Sequence, residues 1–312
     1  MLNKLYYQML RIRMVEEAIV EQYPHQKMRC PVHLSIGQEA VAAGVSYYLK
    51  KDDLVVSGHR AHAHYLAKGG SLKKMMAEIY GKATGCCLGR GGSMHLTDKD
   101  AGFLCSTPIV GGSIPIGVGA AWAMQLKGKP QLTVIYLGEG ATEEGVFAES
   151  LNFASLKQLA VLFVCENNLY SVYSPLEVRQ SAARDRVAIA RAHGMLVREG
   201  DGNDVLDVAA CAEWATRAIQ EGKGPVFLEF STYRHREHCG PNFDNHIGYR
   251  TEEEFQLYLK QCPLEKYRAQ IILYEEMAKE IKAEIEEAFC FAEESPFPVF
   301  DPAQEKLYAE KI

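Results

Sequence analysis

Two long stretches of the chain are apolar at nearly every position and then stop abruptly. LTVIYL (Leu132–Leu137) runs into Gly-Glu-Gly, and AVLFVCE (Ala160–Glu166) runs into Asn-Asn. Strands that lack a polar face are typical of a parallel sheet covered by helices on both sides. The same pattern predicts shorter strands over Leu54–Ser57, Leu196–Glu199 and Val226–Ser231.

Between the predicted strands, the apolar residues recur at helical spacing. Strands that alternate with segments of helix length predict an α/β fold with a doubly wound, mostly parallel sheet. The predicted helices are Lys4–Gln22, Gly37–Leu49, Ser71–Tyr80, Gly117–Leu126, Val146–Leu156, Arg184–His193, Val205–Glu221 and Pro263–Phe291.

No Pro/Ser-rich linker, repeat or low-complexity tract divides the sequence, so we expect one domain over residues 1–312. Its charged C-terminal part, 263–312, is predicted to be a peripheral helical extension packed outside the sheet. The segment Gly81–Gly119 departs from the pattern because it is long, rich in glycine and poor in helix signals. Loops of that length in a compact enzyme are usually functional or contact a partner.

Composition and charge argue against several classes of protein. The net charge is −6 and the basic residues are spread along the chain, which argues against nucleic-acid binding. The polar N-terminal helix does not resemble a secretory signal, and no run approaches the roughly 20 apolar residues of a membrane span. Nine cysteines without a C-x-x-C pair suit reduced thiols, so we expect a soluble protein of the cytoplasm.

The ends of the two long apolar strands predict a ligand site. In open parallel sheets, ligands lie beyond the carboxyl ends of the strands. The glycines of Gly138–Gly140 let the backbone approach a ligand closely. The Glu139 carboxylate and the Asn168 amide are oxygen ligands suited to Mg²⁺ or Ca²⁺. A helix predicted to start near Thr142 would direct its N-terminal amides to the same point. The oxygen ligands and these amides together indicate a site for a diphosphate and a metal.

Either element alone is explained at least as well by a surface turn or a helix cap. Several further motifs, however, occur in a fixed order over residues 14–254. They are GQEA (Gly37–Ala40), GHRAHAHYLAKG (Gly58–Gly69), YGKATGCCLGRGGSMHL (Tyr80–Leu96), IVGGSIPIGVGAAWA (Ile109–Ala123), ENNLYS (Glu166–Ser171) and TYRHREH (Thr232–His238). With the two strand ends, these motifs resemble the alpha subunit of the thiamine-diphosphate-dependent 2-oxo acid dehydrogenase family, which includes pyruvate, branched-chain and acetoin dehydrogenases.

The resemblance implies a thiamine-diphosphate-binding fold and specific roles for individual residues. It implies that Mg²⁺ is held by Glu139, Asn168 and the carbonyl of Tyr170. It implies that the cofactor is contacted by His59, Arg60, Val110, Ile114, Gly140, Ala141, Asn168 and His238, with Arg60 pairing with the phosphates and Ile114 lining the cavity. The implied catalytic residues are His238, on a loop, and His33, in the substrate pocket.

Three positions depart from the family pattern. Glu139 stands where the family has Asp, which leaves open a less tightly held metal ion. Cys239 replaces the serine that is phosphorylated in regulated relatives, so we expect no such control here. The loop sequence GPNFDNHIGYR after Cys239 is also unlike the common version. Among the other histidines, we expect a structural hydrogen bond for His64, whereas His62 suits a structural role and a site role equally.

The function implied by the resemblance is an alpha subunit that decarboxylates a small 2-oxo acid and passes the acyl group to lipoamide. The chain leaves no room for a second, pyrimidine-binding domain, so activity is expected only with a beta subunit in an α₂β₂ heterotetramer. A lipoyl acyltransferase is a further candidate partner. Two alternatives stay open, a thiamine-diphosphate-dependent carboligase or decarboxylase subunit of a biosynthetic pathway, and a catalytically weak assembly paralogue.

Overall fold

The computed structural model describes residues 1–299, so residues 300–312 of the predicted domain and extension lie outside the described part. Its main sheet has six strands in the order β2-β1-β3-β4-β8-β7, and all neighbours are parallel. These strands are β1 (Leu54–Ser57), β2 (Phe103–Ser106), β3 (Thr133–Gly138), β4 (Val161–Asn167), β7 (Leu196–Asp201) and β8 (Val226–Ser231). A small antiparallel pair, β5 (Tyr170–Ser171) and β6 (Ser174–Pro175), follows β4.

Twelve α-helices are present in residues 1–299, and they cover both faces of the sheet. Their bounds are α1 (Leu2–Gln22), α2 (Glu39–Ser46), α3 (His62–Ala67), α4 (Leu72–Ile79), α5 (Ser113–Leu126), α6 (Gly145–Lys157), α7 (Leu176–Arg179), α8 (Arg186–Ala192), α9 (Val205–Gln220), α10 (Glu252–Leu259), α11 (Pro263–Arg268) and α12 (Tyr274–Glu294). None of them combines the length and the hydropathy needed to cross a lipid bilayer.

The sheet separates two apolar cores because successive side chains of a strand point to opposite faces. In β3, Val134 and Tyr136 belong to the larger core, which also contains residues of α1, α2, α4 and α9. Ile135 and Leu137 belong to the second core, with residues of α5, α6 and α8. This arrangement confirms the predicted α/β class with a doubly wound, mostly parallel sheet.

All five predicted strands are present, whereas the glycine-rich segment holds more structure than predicted. Strand β2 lies inside this glycine-rich segment, at the edge of the sheet. It is only four residues long, and the sequence showed no clear apolar run there. Helix α5 begins at Ser113 rather than at Gly117, because Pro115 lies in the first turn, where proline is tolerated. Helices α3, α7 and α10 were not predicted.

The predicted helix Pro263–Phe291 is two helices, α11 and α12, separated by a turn at 269–273. The buried Ile271 lies in that turn and belongs to the larger core. Helix α12 packs against α1 and α4, and an Arg11–Glu284 ion pair of 2.6 Å ties it to α1. The structure thus places the C-terminal helices on other helices, outside the strands of the sheet.

Two glycines of α5 should respond oppositely to the same substitution. A Cβ on Gly117 would lie 2.3 Å from Cγ1 of Ile135 in β3, whereas a Cβ on Gly119 would have no heavy atom within 4 Å. We expect Gly117→Ala to destabilise the chain by about 1–3 kcal/mol through overpacking. Gly119→Ala should be neutral or stabilise by up to about 1 kcal/mol through helix propensity. Urea unfolding of the two variants measures the difference, and equal effects would contradict the described α5–β3 packing.

Candidate functional site

A cavity of about 710 Å³, partly open to solvent, lies at the carboxyl edge of the sheet. It is lined by the ends of β1, β3 and β4, by the segment before α5 and by the loop that follows β8. The residues that the sequence pointed to and that line it are His59, Arg60, Val110, Glu139, Gly140, Ala141, Asn168, Tyr170 and His238.

Parallel pairing brings the two polar strand ends together. Gly138 at the end of β3 is in register with Glu166 in β4. Beyond the strands the two chains stay close, since a Cβ on Gly140 would lie 2.9 Å from Oγ of Ser171. The residues after β3 form a 3₁₀ turn over Glu139–Glu143, and α6 begins only at Gly145, so the helix predicted to start near Thr142 starts later.

Glu139 is almost fully buried and its carboxylate is held by a neighbouring arginine. Oε1 of Glu139 lies 2.7 Å from Nη2 of Arg179, the last residue of α7. Burial raises the pKa of Glu139, and the charge of Arg179 and the hydrogen bond from it act in the opposite direction. The carboxylate therefore has a fixed partner on one oxygen.

The Asn168 side chain is oriented by its neighbours. Its Nδ2 donates to Oε1 of Gln38 over 3.2 Å, and its Oδ1 accepts from the backbone N–H of Tyr170 over 3.2 Å. The intervening Leu169 adopts a left-handed φ of 74°, which closes this turn. Asn167 has a different role, since its Nδ2 donates to Oε1 of Glu229 over 3.0 Å.

These contacts show that the residues present fit a hard divalent cation. Glu139, Asn168 and Tyr170 all line the same cavity and offer a carboxylate, an amide oxygen and a backbone carbonyl. Oxygen ligands of mixed charge are those preferred by Mg²⁺. Because Nδ2 of Asn168 donates to Gln38 and Oδ1 accepts only one hydrogen bond, from the Tyr170 N–H, Oδ1 keeps a second lone pair for a ligand.

Arg60 supplies a positive charge without a counter-ion. Its Nη1 donates to the Leu34 carbonyl over 2.6 Å and its Nη2 to the His238 carbonyl over 3.1 Å. No ion pair to Arg60 is present within residues 1–299. Burial lowers the pKa of Arg60 to about 10, so the group stays charged at neutral pH. A partly buried guanidinium whose neighbours are carbonyls and neutral rings is suited to binding a phosphate.

Three histidine rings cluster beside Arg60. The ring centroids of His33 and His59 are 4.6 Å apart, those of His33 and His238 5.0 Å, and those of His59 and His238 5.3 Å. Burial, reinforced by the charge of Arg60, lowers the pKa of His33 and His238 to about 2 and that of His59 to about 4. All three rings are therefore neutral at physiological pH.

Ring nitrogens of these histidines lie within 4.8 Å of one another, a spacing that metal sites also show. The neighbouring Arg60 opposes a second cation here, which favours neutral hydrogen-bonding groups instead. Nδ1 of His33 is buried and has no hydrogen-bond partner within the described residues. The cluster is thus a neutral, partly unsatisfied wall next to a positive charge.

Ile114, implied as a residue that lines the cavity, lies deeper than the other implied contacts. It is fully buried in the second core, with Leu137 and Phe163, in the first turn of α5. Its contact with the cofactor stays a prediction. Val110, in contrast, is exposed at the cavity rim.

A second group of polar residues at the cavity was not predicted as site residues. Oγ of Ser57 lies 2.8 Å from Nδ1 of His64, and Nε2 of His64 lies 3.2 Å from Oε2 of Glu166. The ring of Tyr136 stacks on His64 with centroids 3.8 Å apart. The expected structural hydrogen bond of His64 is present, but His64 also lines the cavity.

The neighbouring His62 is fully buried and has a structural contact set. Its Nδ1 lies 3.2 Å from Oε2 of Glu16, and its Nε2 lies 2.7 Å from Oγ of Ser93. These contacts join α1 to the glycine-rich segment. The high density of histidines in GHRAHAH could have indicated the missed cavity residues. Histidines so close together in the sequence, however, do not reveal which of their rings faces a ligand.

The loop that carries His238 is anchored by buried charges. Asp244 pairs with Arg250 at 2.5 Å and with Arg234 at 3.4 Å, and all three side chains are buried. Nη1 of Arg250 also donates to the Arg234 carbonyl over 2.8 Å, and Nη2 of Arg234 donates to the Val172 carbonyl over 2.6 Å. The loop sequence that departs from the family pattern therefore supplies its own internal ion-pair network.

A sequence profile described as Dehydrogenase E1 component matches residues 7–300. The chain is 37% identical over 303 residues to the alpha subunit of acetoin:2,6-dichlorophenolindophenol oxidoreductase from Bacillus subtilis, covering 94% of this chain and 89% of that one. It is 34% identical over 304 residues to the pyruvate dehydrogenase E1 component subunit alpha of Rhizobium meliloti, covering 95% of this chain and 86% of that one.

A solved structure from Mycobacterium smegmatis, provisionally described as a thiamin diphosphate-dependent enzyme, aligns with 64% of this chain and 33% of its own length. The sequence identity is 18% and the TM-score is 0.44, so this likeness carries no functional argument.

Removing the charge of Asp244 should loosen the loop that holds His238. Asp244→Asn leaves Arg234 and Arg250 buried without a counter-charge, which we expect to destabilise the chain by about 3–5 kcal/mol. Hydrogen exchange over 236–250 should rise in the same variant. The matched control is Glu213→Gln, which breaks an exposed pair with Arg217 and should change stability by at most about 0.5 kcal/mol. Similar effects of the two substitutions would contradict the proposed anchoring.

The three neutral histidines predict a loss of stability on acidification. Their folded-state pKa values lie below 6.5, so between about pH 6.5 and 4 the unfolded chain binds protons that the folded chain does not. The stabilising contribution is therefore complete above pH 6.5 and is lost as the pH falls.

Each histidine should contribute a slope of about 1.4 kcal/mol per pH unit in this range. His33→Asn should remove about one such increment, as measured by urea unfolding at a series of pH values. His246→Asn, at an exposed position, serves as the control. An unchanged slope in His33→Asn would rule out a neutral His33 in the folded chain.

Proposed function

Because this chain belongs to the Dehydrogenase E1 component family, as an alpha subunit of the thiamine-diphosphate-dependent 2-oxo acid dehydrogenase type, we propose that it binds thiamine diphosphate with Mg²⁺ and decarboxylates a small 2-oxo acid. The acyl group would pass to lipoamide on an acyltransferase partner. The observation that supports this most strongly is the meeting of Glu139, Asn168 and the unpaired Arg60 at one cavity.

The proposed binding roles follow the chemistry of each side of the cavity. Glu139, Asn168 and the Tyr170 carbonyl would hold Mg²⁺, and Arg60 would neutralise the phosphates. The backbone amides of Gly140 and Ala141, at the start of the 3₁₀ turn, would donate hydrogen bonds to the diphosphate. His59 and Val110 would contact the cofactor from the opposite wall.

When bound, thiamine diphosphate supplies a carbon nucleophile and an electron sink for loss of CO₂. The chain itself supplies charge and protons. Nδ1 of His238 lies 3.5 Å from Nη2 of Arg60, an N–H donor, which favours the tautomer with the ring proton on Nε2. A neutral imidazole of this kind can donate from Nε2 to a substrate oxygen. His33, with its free Nδ1, is placed to accept or relay a proton beside it.

An exposed apolar surface next to the cavity supports a beta subunit as partner. Ile109 and Val110 line the cavity and are 68% and 47% exposed, and Ile116 in α5 is 46% exposed. Further apolar side chains, Trp122, Leu126 and Leu156, are exposed toward the C-terminal ends of α5 and α6. Contiguous exposed apolar groups on a folded chain commonly mark a protein contact. We therefore propose that a beta subunit covers this surface and closes the cavity in an α₂β₂ heterotetramer.

A second candidate reaction is cleavage of acetoin, a neutral hydroxyketone. The similarity to the Bacillus subtilis subunit, which is named for acetoin, favours it. The two candidates differ in the charge of the substrate, because a 2-oxo acid carries a carboxylate that Arg60 or a neutral histidine could bind. The site geometry described above is compatible with both.

Metal binding is tested by calorimetry with MgCl₂ and thiamine diphosphate. We expect Glu139→Gln to weaken Mg²⁺-dependent binding of the cofactor at least about 10-fold, because it removes the anionic ligand of the metal. Glu144→Gln, in the same stretch but exposed, should bind like the wild type. Tight binding by Glu139→Gln would exclude the proposed metal site, and no binding by the wild type would favour an assembly paralogue.

Activity is tested by reduction of 2,6-dichlorophenolindophenol with pyruvate, longer 2-oxo acids or acetoin as substrates. The chain alone should show no turnover, and the chain purified with its beta subunit should be active on one of these substrates. Substantial turnover by the chain alone would refute the proposed dependence on a partner. Two further assays then separate the candidate reactions. Acylation of lipoamide would indicate a dehydrogenase, whereas formation of an acyloin would indicate a carboligase.

A further inference from the structure

We propose that Arg179 is the positioning residue for the metal-binding carboxylate of Glu139, an inference that rests on the proposed function. Arg179 holds one carboxylate oxygen and thereby presents the other oxygen to the divalent cation. It is the outer partner of the metal site and does not itself touch the cofactor.

The guanidinium of Arg179 is held on all three sides. Nη2 lies 2.7 Å from Oε1 of Glu139, Nη1 pairs with Oε1 of Glu143, and Nε donates to the Ser174 carbonyl over 3.0 Å. The side chain of Arg179 is 12% exposed and that of Glu139 is 2% exposed. A guanidinium fixed by three contacts has little rotational freedom left, so it restrains the carboxylate that it binds.

The length of Glu139 makes such a restraint necessary. A glutamate has one more rotatable bond than an aspartate, so its carboxylate can turn in more ways at the same backbone position. Partners of this outer kind orient metal-binding carboxylates, and their loss typically costs about 10–100-fold in metal affinity. Arg179 supplies that restraint from a different segment of the chain, the short α7.

Charge balance allows Arg179 to stay in place when a divalent cation binds. A lone arginine would repel the incoming ion. Here, Glu143 also pairs with Arg179 and accepts a 2.6 Å hydrogen bond from Nε2 of Gln180. The Arg179–Glu143 pair is neutral, so the charge of Glu139 remains available to the metal. Glu139, Arg179 and Glu143 thus form a row of alternating charges. Because Arg179 and Glu143 neutralise each other, the negative charge of Glu139 at the cavity is left uncompensated.

The arrangement also links the metal site to the segment after β4. Arg179 contacts the carbonyl of Ser174 in β6, and Nη2 of Arg184 donates to the Thr142 carbonyl in the 3₁₀ turn. The turn after β3 and the segment 174–184 therefore hold each other through arginines. Order in that segment and order at Glu139 are expected to change together.

The test compares Arg179→Met and Arg179→Lys with the exposed control Arg191→Met, each as the full chain with its beta subunit. Titration of MgCl₂ in saturating thiamine diphosphate should show 10–100-fold weaker Mg²⁺ binding for Arg179→Met. Arg179→Lys should recover part of the loss because it keeps the charge but not the fork. Arg191→Met should match the wild type.

A double variant separates positioning from a general structural effect. Glu139→Gln with Arg179→Met should bind Mg²⁺ no more weakly than Glu139→Gln alone, because Arg179 acts only through that carboxylate. Additive losses would overturn the proposal. Tighter Mg²⁺ binding by Arg179→Met would show that the arginine competes with the metal and would overturn it as well.

The Mn²⁺ electron paramagnetic resonance spectrum provides a readout that does not depend on turnover. Mn²⁺ bound with thiamine diphosphate should give a broader, more heterogeneous signal in Arg179→Met than in the wild type. An unchanged spectrum and unchanged affinity would overturn the role of Arg179 while leaving the proposed function intact. A wild type that binds neither Mg²⁺ nor Mn²⁺ with the cofactor would overturn both.

Discussion

Parallel pairing of β3 with β4 is the constraint on which the candidate site depends. The register sets Gly138 beside Glu166, so the residues that follow each strand emerge side by side at one edge of the sheet. A shift by one residue would exchange the two faces of a strand and carry Glu139 away from Asn168. The fully apolar faces of both strands make such a shift costly, because each face is packed into its own core. The geometry of a polar site is thus fixed by apolar packing beneath it.

The charges around the cavity are distributed unevenly, with a carboxylate on one side and a guanidinium on the other. On one side, Glu139 pairs with Arg179, which is itself shared with Glu143. On the other side, Arg60 faces carbonyls and neutral imidazoles and has no ion pair within residues 1–299. A ligand that carries both a cation and an anionic group complements both sides at once. Thiamine diphosphate with Mg²⁺, the ligand proposed above, is of that kind.

The neutral histidines and the buried ion pairs of the following loop depend on one another. Asp244, Arg234 and Arg250 hold the loop so that His238 is kept next to Arg60 and partly buried. That position both lowers the pKa of His238 and makes its ring a hydrogen-bonding group instead of a charge. Val110, which also lines the cavity, remains exposed, as do apolar side chains on α5 and α6. The chain therefore builds the polar half of a site and leaves an apolar side open.

The sequence by itself determined five of the six strands of the main sheet, most helices and the residues at the two strand ends, because periodicity and abrupt polar stops are local properties of a chain. It also identified Arg60, His33, His59 and His238 through motifs in a fixed order. Only the tertiary structure decided which partners orient these groups. Gln38 and Arg179 are distant from Asn168 and Glu139 along the chain, and no periodicity links them.

Ile114 shows the same limit from the other direction. Its motif implied a place beside the cavity, and only the structure shows that its side chain is packed into the second core at the start of α5. The short β2 and α3 escaped prediction because four to six residues are too few to show a period. Contacts between distant segments depend on how whole helices and strands pack against one another. The pattern of apolar and polar residues predicts which face of each helix or strand is buried, but not which other element covers that face.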